Sequence, residues 1–66
     1  MVKIMLKEIR TKRKITLRQL EAASGISIST LSRIEKGQVS PTIFELDRVA
    51  VALDVSLWDL VKFIKK

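Results

Sequence analysis

The chain contains no cysteine, no histidine and no tyrosine. Without cysteine there is no disulfide and no thiolate metal site. Without histidine the commonest metal ligand and the usual general base near neutral pH are both missing. The carboxylates that remain read as helix caps or ion-pair partners, so no acid–base or nucleophilic constellation can be drawn. The chain therefore reads as non-enzymatic, with no cofactor and no metal. Proline is scarce, with one residue, and glycine occurs twice, so few positions force the backbone to break. No apolar run reaches the roughly eighteen residues a membrane span needs. The amino-terminal MVKIMLKEIR mixes charge with apolar residues and lacks a signal-peptide core. A cytoplasmic protein is expected, with no membrane partner.

The 66 residues present bound the chain to one domain, residues 1–66. A domain of this size buries only about 60% of its unfolded surface and is marginal unless stapled or oligomeric. An apolar fraction of 47% is ordinary for a globular chain. The net charge of +6 is unevenly placed. Residues 1–37 hold nine Lys/Arg against three Glu, and residues 38–66 hold four against four acids. All the excess lies in the first part, which is the footprint expected for a polyanion partner.

Within that basic part, residues 16–37 read TLRQLEAASGISISTLSRIEKG, two short helices meeting at a tight turn. Thr16 can N-cap the first, with Gln19 at the capping-box spacing. Leu17, Leu20 and Ala23 or Ser24 share one face. Gly25 can take the left-handed conformation of a helix exit, and Ile26 can plug the corner. Ser27 can N-cap the second helix, whose buried edge is Leu31 and Ile34. Gly37 closes it. Its outward positions, Ile28, Ser29, Thr30, Ser32, Arg33 and Lys36, are short, polar or basic, as a surface pressed against something negative requires.

These residues, followed by PT after a short loop, closely resemble the phage-repressor and Cro-type helix-turn-helix family, also called the XRE family. The resemblance runs from about Leu6 to Leu60, and Gly25, the apolar residue after it, Leu31, Ile34 and the IEKG ending make it specific. It implies an all-α, five-helix, lambda-repressor-like DNA-binding domain whose second motif helix enters the major groove. By position, Ile28, Ser29 and Arg33 match places that commonly read bases in the family. Ile28 can touch a thymine methyl, and Ser29, Thr30 and Ser32 are small enough for the groove. Arg33 can bond guanine O6 and N7 together. In the family, an arginine at the place of Arg10 commonly pairs with a glutamate near the end of the second motif helix, here Glu35. A bidentate pair of that kind ties helix one to the recognition helix. The family usually places alanine where Glu21 stands, so Glu21 is expected to turn to solvent or to find a basic partner.

Phosphate contacts are expected at the edges of the motif. Thr16, Leu17 and Arg18 open a helix whose free N–H groups can face a phosphate, and Lys14, Ser27, Lys36, Gln38 and Ser40 lie near along the chain. Outside the motif, Val2 to Arg13 is expected to form a first helix with Ile4 or Met5, Leu6 and Ile9 inward, and Lys12 to Lys14 a solvated bend. Thr42 caps a fourth helix with Glu45 at the capping-box place. Ile43, Leu46, Val49, Ala50 and Leu53 should bury one face, and Asp54 ends it. Ser56 caps a fifth helix with Asp59. Leu57, Leu60, Val61 and Ile64 close the core, and Lys62, Lys65 and Lys66 suit its negative dipole end. No strand alternation is visible.

Phe44, Val51, Trp58 and Phe63 are left over. Trp58 and Phe63 either complete the core or join an exposed patch, whereas Phe44 and Val51 read as partner surface. The expected partner is a second copy, giving a homodimer through Phe44, Val51 and Trp58 on double-stranded DNA. The expected function is a sequence-specific transcriptional regulator, a small dimeric repressor or controller protein. The alternatives are an antitoxin, whose surface near Trp58 would face a toxin protein, and a helical bundle that binds only proteins.

Overall fold

A computed structural model of the chain describes residues 2–64. Its order is β1 (Val2–Ile4), α1 (Leu6–Lys12), α2 (Leu17–Ser24), α3 (Ile28–Glu35), α4 (Ile43–Leu53), α5 (Leu57–Leu60) and β2 (Val61–Phe63). The helices pack around one buried cluster: Leu6 of α1, Leu20 of α2, Ile26 at the corner, Leu31 and Ile34 of α3, Val49, Ala50 and Leu53 of α4, and Leu60 of α5. Helix α2 packs on both α3 and α4, so the two-helix motif sits on one wall of this core.

The helix starts follow local chemistry. Thr16/Gln19, Thr42/Glu45 and Ser56/Asp59 each form a complete capping box, and the Ser27 hydroxyl accepts the Thr30 N–H. The stops share a device as well. Lys14, Gly37 and Asp54 take left-handed φ values of 57°, 72° and 56°. In each case that residue and the next donate back to two carbonyls of the last helical turn. The bonds are Lys14 to Thr11 and Ile15 to Arg10, Gly37 to Ile34 and Gln38 to Arg33, Asp54 to Val51 and Val55 to Ala50. This is the Schellman closure. Gly25, at φ 76°, ends α2 with a single N–H bond to Glu21 O. Only two of these four positions are glycine, so Lys14 and Asp54 carry a Cβ where L-residues are disfavoured.

The two ends of the chain depart from the all-α expectation. Residues 2–4 form a strand rather than the start of helix one, and residues 61–63 leave the fifth helix after Leu60. The strands pair antiparallel, with Val2 opposite Phe63, Lys3 opposite Lys62 and Ile4 opposite Val61. Met5 N–H adds a 2.7 Å bond to Leu60 O. β-Branched Val2, Ile4 and Val61 suit a pleated surface, and their partners lie nearly a chain length away, so no local pattern announces the pairing. Lys62 therefore lies on a strand and not at a helix end. The expectation for Lys65 and Lys66 falls outside the described residues.

The core also differs in detail. Ser24, not Ala23, is the buried small residue, and its hydroxyl accepts the Ile26 N–H at 3.2 Å. Ile43 is 57% exposed instead of buried, and Ile64 is exposed too. Trp58 and Phe63 do not complete the core; they stand 75% and 69% exposed.

Candidate nucleic-acid interface

Two buried residues set the orientation of α3. Leu31 and Ile34 face the core, so Ser29, Ser32, Arg33 and Lys36, on the opposite arc at helical spacing, face away from it. Ser29, Arg33 and Lys36 are exposed, while Ile28, Thr30 and Ser32 on the flanks are half-buried. Thr30 is partly committed locally. Its hydroxyl accepts from Ser27 Oγ at 3.0 Å, and its N–H donates to the same oxygen at 3.2 Å.

Arg10 fixes the far end of this helix. Its Nε donates to Glu35 Oε2 at 2.6 Å and its Nη2 to Glu35 Oε1 at 3.2 Å. Its Nη1 donates to Ile15 O at 2.9 Å. One guanidinium thus ties α1, the bend before α2 and the last turn of α3. The Glu35 side chain is only 7% exposed, so the one acid of α3 is neutralised and withdrawn from the outer face. Arg33 and Lys36 are left without a carboxylate partner among the described residues.

Glu21 takes neither expected course. Its Oε2 accepts the Ile28 N–H at 2.9 Å, so it caps the first turn of α3 from α2. A carboxylate there is favoured by the positive end of the helix dipole. Together Ser27 and Glu21 satisfy two N–H groups of α3. Sequence reasoning missed this role. The available signal was an acid on the last turns of one helix, close before the Ser27 cap of the next. Arg48 was missed as well: its Nη1 lies 3.9 Å from where a Cβ on Gly25 would sit, placing a cation over the corner.

The phosphate candidates fall in two groups. At α2, the Thr16 N–H and hydroxyl are used by Gln19, while Leu17 and Arg18 begin the helix with no carbonyl behind them to accept their N–H groups. Lys14 is exposed just before them. Beyond α3, Lys36, Gln38 and Ser40 are exposed around the Gly37 turn. The serine-rich outer face of α3 therefore lies between exposed groups at both edges. The remaining candidates, Phe44, Val51 and Trp58, are 77%, 73% and 75% exposed and belong to α4 and α5, not to this face.

Two capped helices joined by a left-handed glycine, the second with a polar and basic outer face, define a helix-turn-helix DNA-binding module. Comparison with known proteins agrees. The helix-turn-helix family model matches residues 6–59. The chain belongs to the helix-turn-helix family. It is 40% identical over 53 residues to y4dJ, an HTH-type transcriptional regulator of Sinorhizobium fredii, covering 80% of this chain and 69% of that protein. The restriction-modification controller protein C.AhdI from Aeromonas hydrophila superposes with a TM-score of 0.81 at 29% identity, over 83% of each chain. The clp gene regulator ClgR from C. glutamicum gives 0.79 at 34% identity, over 83% of this chain and 71% of that one.

Proposed function

We propose that this DNA-binding transcriptional regulator acts as a small dimeric repressor or controller protein on a near-palindromic duplex, with residues 1–66 serving as one cytoplasmic DNA-binding domain. One observation carries the reading. The outer face of α3 presents Ser29, Ser32, Arg33 and Lys36, while its only acid, Glu35, is held inward by Arg10. In this reading Arg33 bonds a guanine edge, Ile28 meets a thymine methyl, and Ser29, Thr30 and Ser32 make weaker base contacts. Lys14, Leu17 and Arg18 hold phosphates on one side, and Lys36, Gln38 and Ser40 on the other, while Thr16 and Ser27 are committed to their own helix caps. The exposure of Phe44 and Val51 on α4 supports a two-fold contact through them. Two recognition helices about 34 Å apart then read successive major-groove faces.

Fluorescence anisotropy with specific and random duplexes at two salt concentrations tests this. Arg33→Ala should reduce discrimination by about 1–3 kcal/mol. Lys36→Ala should weaken all duplexes alike and lower the salt slope by about 0.9. If neither substitution changes binding, α3 is not the reading helix. A sedimentation run showing only monomer, free and on duplex, would remove the dimer.

A further inference from the structure

On the side of the molecule where β1, β2, α5 and the start of α4 meet, an open groove of about 930 Å³ runs to the loop after α3. Its apolar lining includes Val2, Ile43, Trp58 and Phe63, exposed by 51%, 57%, 75% and 69%. Phe44 and Val51 do not line it, so it is distinct from the outward arc of α4. The charges along it are unbalanced. Glu8 is paired with Lys3 at 2.9 Å, and Glu35 with Arg10. Lys7 and Lys36 also line the groove and have no carboxylate partner among the described residues.

We propose that this groove docks an acidic amphipathic segment of a partner protein, whose apolar face covers Trp58 and Phe63 while its carboxylates meet Lys7 and Lys36. Helix-in-groove recognition uses an apolar floor of this kind with a charged rim, and aromatic anchors supply most of its affinity. A second copy is the poorer occupant. A two-fold contact centred on the groove would bring two Lys7 and two Lys36 side chains together, in a chain whose net charge is already +6. The groove also shares Lys36 and Ser40 with the candidate phosphate set. Resting on the DNA-binding reading above, its occupant competes with duplex, and by linkage duplex expels the occupant.

Trp58 is the only tryptophan and reports occupancy directly. The probe is a synthetic helical peptide with leucines on one face and glutamates on the other; its control carries lysine for every glutamate. The glutamate peptide should shift Trp58 emission to the blue in a saturable manner, and the lysine peptide should not. Phe63→Ser should weaken binding about tenfold, as loss of an aromatic anchor does. Lys7→Glu should weaken it about two- to fivefold, as loss of a rim charge does. Phe44→Ser should leave it unchanged. Equal shifts from both peptides, equal losses from Phe63→Ser and Phe44→Ser, or a blue shift that follows protein concentration alone would overturn the proposal, the last placing a second copy in the groove. These titrations contain no DNA, so failure of duplex binding leaves them standing. A labelled duplex added afterwards tests competition: the peptide should raise its apparent Kd, and an unchanged Kd would refute the shared use of Lys36.

Discussion

The α2–α3 corner and the β1–β2 pair are held in opposite ways. At the corner, every stop and start is decided within a few residues: Thr16 with Gln19, Gly25 with Glu21, Ser27 with Thr30. The strand pair joins Val2 to Phe63 and Ile4 to Val61, partners at opposite ends of the described residues. Local contacts need little loop closure, whereas the terminal pairing must offset the entropy of a loop spanning nearly the whole chain. The caps and turn of the DNA-facing motif are therefore set locally, while its two helices are held in place by packing on α4 and α1. The strand pair, with α5, frames the groove that carries most of the exposed apolar surface.

The largest test of this contrast is Arg10→Ala. Arg10 is the charged tie from α1 to the last turn of α3, and its loss leaves Glu35 buried without a cation. Urea denaturation should show a loss of about 3 kcal/mol, with duplex binding falling alongside as α3 loses its anchor. A loss no larger than a surface pair gives would mean that the corner holds its orientation without this tie.

Glu21→Ala probes the corner from inside. Removing the cap on Ile28 N–H should cost about 1 kcal/mol. Glu21→Gln should recover part of this, because its amide oxygen can still accept. Equal losses from the two would show that charge at the helix dipole, not the hydrogen bond, is what matters.

Lys14→Gly separates stability from function. A glycine at φ 57° relieves the Cβ penalty and should raise stability by roughly 0.5–1 kcal/mol, while loss of the charge weakens duplex binding. If stability and binding both rise, Lys14 is no phosphate contact.

The smallest effect belongs to the strand end. The Lys3 side chain, hydrogen-bonded at 2.9 Å, is the main cause holding the Glu8 carboxyl below its ordinary value, with a backbone hydrogen bond adding to it. A depressed carboxyl stabilises the fold above the ordinary carboxylate range, and that contribution disappears as pH falls through the folded value. Both side chains are well exposed, so the slope is shallow. In urea midpoints followed from neutral to acid pH, Lys3→Met should flatten this slope; identical slopes would show that the pair contributes nothing.

The caps, the glycine corner and the buried faces of α2 and α3 were legible in the sequence because each depends on residues three or four apart. Glu21 was not. Its partner is an N–H on the next helix, seven residues on, and only the turn at Gly25 brings the two together. Ile43 failed for a related reason: it lies at helical spacing with Leu46 and Ala50, yet at the margin of the buried arc, where only the positions of α5 and β2 decide whether anything covers it.

By itself the sequence determined where α2, α3 and α4 begin and end, where α5 begins, the buried edge of α2 and α3, and that the positive charge accumulates in residues 1–37. Those properties follow from neighbours along the chain and from composition. Tertiary structure alone decided that the ends pair as strands and that Trp58 and Phe63 line a groove instead of filling the core, whereas the Arg10–Glu35 pair, 25 positions apart, was expected only through the family resemblance. Each of these requires residues far apart in sequence to be brought together, and no spacing pattern records which distant partner will arrive.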